Sequence, residues 1–275
     1  MTIPSIKLSD NTTIPQLGYG LWQVSDEETE SLVLEAIRAG YRSIDGAQIY
    51  HNEAGLGRAL GADQVKRNEL YITTKIWNSE QGYDTTLKSF DVSMKKLNLQ
   101  VLDLLLIHWP APSKGKFVDT WKALIQLKKD NRVRSIGVSN FTEDHLTQIM
   151  DATSVTPVIN QVEVHPRFQQ KALREFHFKH NIQTESWSPL GQGHVISDPV
   201  IAQIAAKYQK SPAQIILRWH IENGLVAIPK SVTPARIIEN IQIFDFSLDA
   251  ADLMLIRGMD SSTGRIGPDP MKAQF

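Results

Sequence analysis

The stretch that decides the fold class is LDLLLIHW, residues 102–109. Its centre, residues 104–107, is apolar at every position, so the strand that it predicts must be covered on both faces. Such strands belong to parallel sheets with helices packed on either side, whereas a strand with one face in water alternates apolar and polar residues. The stretch ends near His108, so it predicts a buried parallel strand with an ionisable group at its carboxyl end.

Seven other β-rich runs recur along the chain, with helical stretches between them. The predicted strands are 19–23, 42–45, 70–76, 102–109, 134–139, 158–164, 183–187 and 225–229. The helical stretches begin near Asp26, Asn52, Asp84, Lys116, Thr142, Gln169, Ser197, Ser211, Pro234 and Asp249. No Pro-, Gly- or Ser-rich linker separates them. Eight strand-then-helix units predict a single α/β domain over residues 1–275, a (β/α)8 TIM barrel, with an open doubly wound sheet as the alternative.

The two ends of the chain lie outside this repeat. Residues 1–18 alternate apolar and polar positions around the turn SDNT at 9–12, which predicts a β-hairpin that could plug one end of the barrel. Residues 55–61, GLGRALG, look like a dinucleotide fingerprint, but their G-x-G-x-x-x-G spacing falls within a helical stretch. We interpret these glycines as helix packing positions, with Gly61 at a C′ position that ends the helix.

Composition excludes several functional classes. The 275 residues are 41% hydrophobic, enough for a large core, and the formal net charge of −1 leaves no basic surplus for nucleic acid. The absence of cysteine excludes disulfides, thiolate metal sites and cysteine nucleophiles. Neither a signal-peptide pattern nor a run of 18 apolar residues occurs. We therefore expect a cytoplasmic protein that binds neither nucleic acid nor membrane.

Three successive predicted strands end on ionisable residues: Asp45, Lys75 and His108, with Tyr50 in the loop just after the first. In a barrel these strand ends share one face, so the four side chains should meet at its mouth. A buried lysine needs a carboxylate partner, and Asp45 is the nearest candidate. A lysine cation close to a phenol should lower the phenol's pKa before desolvation opposes the effect. The four groups together predict proton delivery to a developing alkoxide.

Other interpretations of these four residues remain open at this point. Tyr50 could be a packed surface residue, His108 a core histidine, and Lys75 with Asp45 a purely structural ion pair. Four tryptophans also fall at predicted strand ends on the same face, which suggests an apolar, rigid wall for a substrate. They are Trp22, Trp77, Trp109 and Trp187.

At this level of detail the chain resembles the aldo-keto reductases from end to end, and among them most closely the bacterial 2,5-diketo-D-gluconic acid reductases. The matching motifs are GYGLW at 18–22, GYRSID at 40–45, Tyr50 with Asn52 and Glu53, ITTK at 72–75, residues 103–110, SIGVSNF at 135–141, NQ at 160–161 and IPKS at 228–231. One position departs from the family pattern: Gly46 stands where a residue with a small side chain is usual. This glycine could enlarge the space beside the nicotinamide, or merely accommodate a neighbour.

The resemblance implies reduction of aldehydes and ketones with NADPH and without a metal. Tyr50 would be the proton donor, with Asp45, Lys75 and His108 as its catalytic partners. The nicotinamide would lie on Trp187, with its carboxamide against Ser139, Asn140 and Gln161. The pyrophosphate of the cofactor would lie along residues 188–193. The remaining implied cofactor contacts are Gly20, Leu21, Asp45, Ser188, Pro189, Leu190, Gly191 and Gln192.

For the adenosine end of the cofactor, the resemblance points to the start of a late helix. Lys230 and Arg236 would bind the 2′-phosphate, which favours NADPH over NADH; solvated charges at a helix start are the alternative interpretation. Further contacts in this segment would come from Ser231, Val232, Thr233, Glu239 and Asn240.

Substrate contacts are expected from Trp22, Tyr50, Trp77, His108 and Trp109, and residues 264–270 resemble a segment that folds over the mouth. The substrate that the resemblance implies is a small carbonyl compound: 2,5-diketo-D-gluconate, or alternatively methylglyoxal, a simple aldehyde or a β-keto ester. Two other functions stay open, a weakly catalytic cofactor-binding regulatory subunit and a lyase using Lys75 as a Schiff-base nucleophile. A monomer is the expected state.

Overall fold

The computed structural model of the chain describes residues 3–273 and residue 275. Eight parallel strands form one sheet, in which each strand pairs with the next along the chain. They are β3 Tyr19–Gly20, β4 Ser43–Asp45, β5 Tyr71–Ile76, β6 Leu102–Ile107, β7 Val133–Ser139, β8 Ile159–Glu163, β9 Gln183–Trp187 and β10 Val226–Ala227. A parallel bridge between Leu17 and Ala227 joins the last strand to the segment before the first. The sheet is therefore closed, which confirms the predicted barrel and makes the open-sheet alternative wrong.

Helices cover the outside of the barrel and follow each strand. They are α1 Asp26–Ala39, α2 Glu53–Leu60, α3 Tyr83–Leu97, α4 Phe117–Lys129, α5 Glu143–Thr153, α6 Lys171–Lys179, α7 Pro199–Tyr208, α8 Pro212–Glu222, α9 Pro234–Ile241 and α10 Ala250–Arg257. Local sequence sets their starts: Ser211 and Gln214 form a capping box before α8, and Pro212 occupies the first turn. Within residues 3–273, no helix is long and apolar enough to cross a membrane.

A two-stranded hairpin closes the amino-terminal end of the barrel. It consists of β1 Ser5–Lys7 and β2 Thr13–Pro15; residues 1 and 2 of the predicted hairpin segment lie outside the described residues. Leu8 and Ile14 pack against the barrel interior residues Leu104 and Leu106. Asp10 in the turn accepts hydrogen bonds from Lys128 Nζ (2.6 Å) and Ser135 Oγ (2.9 Å). The predicted plug is confirmed.

The glycines at 55–61 lie within α2, as predicted, and they do allow close helix packing. A Cβ on Gly57 would lie 2.1 Å from Lys96 O, and one on Gly55 would lie 2.4 Å from Asp26 O. The helix ends at Leu60, but Gly61 has a φ of −84°, in the right-handed region. The prediction that the helix ends at this glycine is confirmed, although Gly61 does not adopt the left-handed conformation that is common after a helix end.

Candidate active site

The carboxyl ends of β4, β5 and β6 bring the predicted ionisable residues together. Asp45 is the last residue of β4, Lys75 lies one residue before the end of β5, and His108 follows β6. Lys75 Nζ donates to Asp45 Oδ1 at 2.5 Å and to Gly46 O at 2.9 Å. Both side chains are almost fully buried, so the predicted buried ion pair is confirmed. Burial lowers the pKa of Lys75, but Asp45, with smaller contributions from Tyr50 and Glu185, raises it, and the net rise keeps the ammonium charged.

Tyr50 lies beside this ion pair, at the end of a short 3-10 turn, Gln48–Tyr50. Lys75 Nζ is 5.2 Å from the centre of the Tyr50 ring. Burial raises the pKa of the phenol, and Asp45 raises it further, against the lowering effect of Lys75. The expected lowering of this pKa is therefore wrong, because desolvation outweighs the lysine charge. Tyr50 stays protonated near neutral pH and is suited to donate a proton.

His108 faces Tyr50 from the next strand end. The two rings meet edge to face with centroids 5.6 Å apart, and the Trp77 ring also meets His108 edge to face, at 5.1 Å. Burial, with the nearby charge of Lys75, lowers the pKa of His108 well below its usual value. The imidazole is therefore neutral near pH 7. Among the described residues, nothing forms a hydrogen bond with its Nδ1, while its carbonyl accepts one from Asn140 Nδ2 at 3.0 Å.

These groups open into a cavity of about 740 Å3 at the barrel mouth. All four tryptophans named from the sequence line it, as do Asp45, Tyr50 and His108. The other predicted site residues on its wall are Gly20, Ser139, Asn140, Gln161, Ser188, Pro189, Leu190, Gln192 and Lys230. Lys75 lies beneath the cavity, covered by its neighbours, with no exposed surface.

Polar groups on one side of the cavity are held by a dense hydrogen-bond network. Ser139 Oγ donates to the Gln161 carbonyl at 2.8 Å, and Asn140 Nδ2 donates to Ser139 Oγ at 3.1 Å. Trp187 Nε1 donates to Asn140 Oδ1 at 2.8 Å, which fixes the indole ring beside the amide. Asn140 adopts a left-handed φ of 62° at the strand end. The network presents pre-oriented amide and hydroxyl groups to the cavity.

The loop after β9 has a backbone that lets it approach a ligand closely. Ser188, Gly191, Gln192 and Gly193 all have positive φ. A Cβ on Gly191 would lie 2.4 Å from Val195 Cγ2, so no other residue fits there without a shift. Gly191 N and Gly193 N donate within the loop to Ser188 O (2.8 Å) and Leu190 O (3.1 Å). Gly193 has open space where a Cβ would lie, so a ligand can approach the backbone closely there.

The remaining predicted residues lie away from the cavity wall. Leu21 and Gly191 are buried behind it. Val232, Thr233 and Arg236 are exposed at the start of α9, where Ser231 Oγ accepts a hydrogen bond from Thr233 N at 3.1 Å. Glu239 and Asn240 follow within α9. These residues follow Lys230, which lies at the rim of the cavity. Within residues 3–273, neither Lys230 nor Arg236 forms an ion pair.

A match to known proteins covers most of the barrel. Residues 16–261 match the aldo/keto reductase family. The chain belongs to the aldo/keto reductase family. It is 51% identical over 267 residues to methylglyoxal reductase DkgA of Salmonella typhimurium, covering 96% of each chain. These findings confirm the family resemblance seen in the sequence.

Solved structures of related proteins share the whole architecture. A structure of a Gox0644 variant in complex with NADPH is 53% identical, with a TM-score of 0.97 and complete coverage of both chains. An aldo/keto reductase from Brucella melitensis is 55% identical, with a TM-score of 0.92, covering 94% of this chain and 100% of that one. This reductase therefore has the same (β/α)8 barrel as these related structures.

The sequence did not indicate that Glu163 contacts the carboxy-terminal segment, residues 264–270. The reductase holds residues 264–270 at the cavity mouth through the buried Glu163 carboxylate, which accepts from Ile266 N (2.6 Å) and Gly267 N (2.8 Å). A Cβ on Gly267 would lie 2.4 Å from Trp187 Cη2, so the segment rests directly on that indole. This confirms the predicted segment over the mouth. A single glutamate at the end of β8 gave no sequence signal of this role.

Phe275 was also missed. Its ring stacks on Trp77, with centroids 5.6 Å apart, and meets Trp109 edge to face at 5.2 Å. The aromatic wall of the reductase is therefore larger than the tryptophans alone suggested. The sequence signal that could have identified Phe275 is an aromatic residue a few positions after the segment expected over the mouth.

Gly46 does not line the cavity. A Cβ there would meet Thr73 O at 3.5 Å, Leu56 Cδ2 at 3.8 Å and Leu21 Cδ1 at 3.9 Å, all ordinary contacts. A side chain at this position would therefore point toward Thr73, Leu56 and Leu21. The Gly46 carbonyl accepts a hydrogen bond from Lys75 Nζ. The expectation of a larger space beside a nicotinamide thus has no support from the cavity wall.

Proposed function

We propose that this aldo/keto reductase reduces aldehydes and ketones to alcohols with NADPH, and that Tyr50 supplies the proton. The observation that carries the proposal is the convergence of a protonated Tyr50, a neutral His108 and the Lys75–Asp45 ion pair on one cavity. A family relative, Gox0644, has been solved with NADPH bound.

The residues around the cavity fit a dinucleotide. Ser139, Asn140 and Gln161 offer buried polar groups to a carboxamide, and Trp187 offers an aromatic face. The positive-φ loop at 188–193 suits a pyrophosphate, and the cations Lys230 and Arg236 at the start of α9 suit a further phosphate. When bound, NADPH supplies the hydride that reduces the carbonyl carbon.

Each of the four ionisable residues has a separate task in the proton step. Tyr50 donates its proton to the carbonyl oxygen as negative charge develops there; the raised pKa of the phenol does not prevent this, because an alkoxide is far more basic than a phenolate. Lys75 stabilises the phenolate that remains, and Asp45 keeps Lys75 charged and in place. His108, neutral and adjacent, orients the carbonyl oxygen by a hydrogen bond.

For the substrate, we propose 2,5-diketo-D-gluconate, with methylglyoxal as the second candidate. Relatives at about half identity that carry the name methylglyoxal reductase DkgA support the second. The walls formed by Trp22, Trp77 and Trp109 favour a compact carbonyl compound held against aromatic faces. A single domain over residues 1–275, a monomer and a cytoplasmic location stay predictions.

The proposal is tested by following NADPH oxidation with a panel of carbonyl substrates that includes both candidates, a simple aldehyde and a β-keto ester. We expect turnover with at least one of the two candidates and a kcat/KM for it at least tenfold above that for the simple aldehyde. Absence of NADPH oxidation across the panel, with a folded protein, would exclude the proposed activity.

A further inference from the structure

A second carboxylic acid lies inside the barrel beneath the candidate site. Glu185 is in β9, is 1% exposed, and lies directly across from Gln161 in the register of β8 and β9. The proton chemistry described above does not use it. A buried acid at this depth is costly unless a neighbour satisfies it, so its partner is informative.

That partner is the Gln161 amide. Gln161 Nε2 donates to Asp45 Oδ2 at 2.8 Å and to Glu185 Oε2 at 2.9 Å. An amide nitrogen has two hydrogens, so its donor capacity is fully used by these two acids. The opposite orientation would place the amide oxygen against the Asp45 carboxylate, which has no proton to donate, and would leave the Glu185 carbonyl oxygen without its donor. The two acids therefore fix which end of the Gln161 amide faces inward.

The outward end of the amide is left free. Gln161 lines the cavity, and no donor from residues 3–273 or residue 275 bonds to its Oε1. This oxygen can accept one hydrogen bond from a ligand N–H, as a carboxamide NH2 provides. The direction in which Gln161 Oε1 points is fixed by these two acids, because rotation of the amide would break its hydrogen bonds to Asp45 and Glu185.

Charge balance explains how two acids can lie so close together. The titratable groups that face Glu185 are Asp45, Lys75 and Tyr71. Burial raises the pKa of Glu185 to about 8, and the charge of Asp45 contributes to this. Near neutral pH Glu185 thus carries a proton, and the charges of Lys75 and Asp45 balance. A protonated carboxyl group still accepts the Gln161 hydrogen bond through its carbonyl oxygen.

We propose that Glu185 is a positioning residue for the nicotinamide end of the cofactor, acting through the Gln161 amide. The inference rests on the proposed function, since it requires that NADPH binds in this cavity. Glu185 itself touches neither cofactor nor substrate in this scheme; it holds the acceptor that does.

The test is the dissociation constant of NADPH at pH 7, measured by fluorescence without any carbonyl substrate. Glu185→Met keeps the length of the side chain but removes the acceptor, and we expect binding to weaken about tenfold, as for loss of one oriented hydrogen bond. Glu185→Gln retains an acceptor and mimics the protonated acid, so it should bind NADPH within about twofold of the wild type. Glu185→Asp withdraws the acceptor from Gln161 and should weaken binding about fivefold, which provides a second test if the Met variant does not fold.

A double-variant comparison separates positioning from general disruption. In a Gln161→Ala background, Glu185→Met should weaken NADPH binding less than about twofold further, because the group through which it acts is gone. Equal weakening in both backgrounds, or unchanged binding in both Glu185→Met and Glu185→Asp, would overturn the role of Glu185. If the wild type itself does not bind NADPH, the proposed function fails instead, so the two failures are distinguishable.

Discussion

Glu185 makes the stability of this protein depend on pH in a defined direction. Its pKa is raised from about 4.5 to about 8 in the folded protein, so folding retains a proton that the unfolded chain releases over this interval. The free energy of unfolding should therefore fall as the pH rises from about 5 to 8, by at most about 1.4 kcal/mol per pH unit. Buried histidines such as His220, whose pKa is lowered to about 3, act in the opposite direction.

Urea unfolding of the wild type and of Glu185→Gln from pH 5 to pH 8 isolates this contribution. The histidines are the same in both proteins, so the difference between the two curves reports Glu185 alone. We expect Glu185→Gln to gain stability relative to the wild type as the pH rises. A difference that does not change with pH would mean that Glu185 is ionised in the folded protein.

We expect two single residues, Lys230 and Arg236, to set the preference for NADPH over NADH. Both are cations without an ion-pair partner among the described residues, at the start of α9. Lys230→Met with Arg236→Ala should raise the KM for NADPH at least tenfold, because charge-assisted bonds to a phosphate are lost. The KM for NADH should change less than about twofold, and Lys179→Met, an exposed cation on α6, should change neither. Equal effects on both cofactors would place the 2′-phosphate elsewhere.

At the scale of secondary-structure elements, α2 provides a matched pair of glycines. Gly57 has no room for a Cβ, whereas a Cβ on Gly61 would meet only atoms 3.6 Å away, at an allowed φ. Gly57→Ala should lower the free energy of unfolding by about 3 kcal/mol, as overpacking against the backbone of α3 requires. Gly61→Ala should be neutral or stabilise the protein by up to about 1 kcal/mol, by restricting the unfolded chain. Equal effects in thermal or urea unfolding would contradict the tight α2–α3 contact.

The segment at residues 264–270 depends on one carboxylate. Glu163→Gln removes the charge that accepts from Ile266 N and Gly267 N, so these amides should exchange hydrogen about tenfold faster. Glu175→Gln, an exposed change on α6, is the control and should leave the exchange unchanged. Hydrogen exchange measured by mass spectrometry distinguishes the two. Unchanged protection of residues 264–270 in the Glu163 variant would show that other contacts hold the segment.

Sequence patterns predicted these elements where their signal is local. Apolar runs such as residues 104–107 identified buried strands, and Ser, Thr and Pro at helix starts located the helices within a few residues. The first and last barrel strands, Tyr19–Gly20 and Val226–Ala227, are shorter than predicted. Residues 22–23 and 228–229, which were predicted to continue these strands, line the cavity instead. Periodicity does not distinguish these two environments.

The candidate site was predictable to the extent that topology alone brings residues together. Asp45, Lys75 and His108 end successive strands, so the barrel forces them into one place. The pKa of Tyr50 depends instead on how much water its hydroxyl loses, which no spacing reveals. Glu163 follows Val162, and Glu185 lies between Thr184 and Ser186, so neither position stands out in the sequence as buried, although both side chains are buried in the structure.

At the scale of the whole molecule, the fold separates stability from chemistry. The hairpin and the apolar layer around Leu104 and Leu106 fill the amino-terminal end of the barrel, while the ionisable groups lie at the carboxyl end. Changes to the partly exposed side chains that line the cavity should therefore alter turnover more than stability. Tyr50, partly exposed at the mouth, is the residue where this separation can be tested most cleanly.

The most direct test of the proposed chemistry is single-turnover NADPH oxidation by Tyr50→Phe, with whichever carbonyl substrate the wild type reduces best. The variant lacks only the phenolic oxygen, so we expect its rate constant to fall about 10^3-fold, within the range for loss of a general acid. Its NADPH dissociation constant should stay within about threefold of the wild type. A Tyr50→Phe variant that binds NADPH normally and retains more than a tenth of the wild-type rate would contradict Tyr50 as the proton donor.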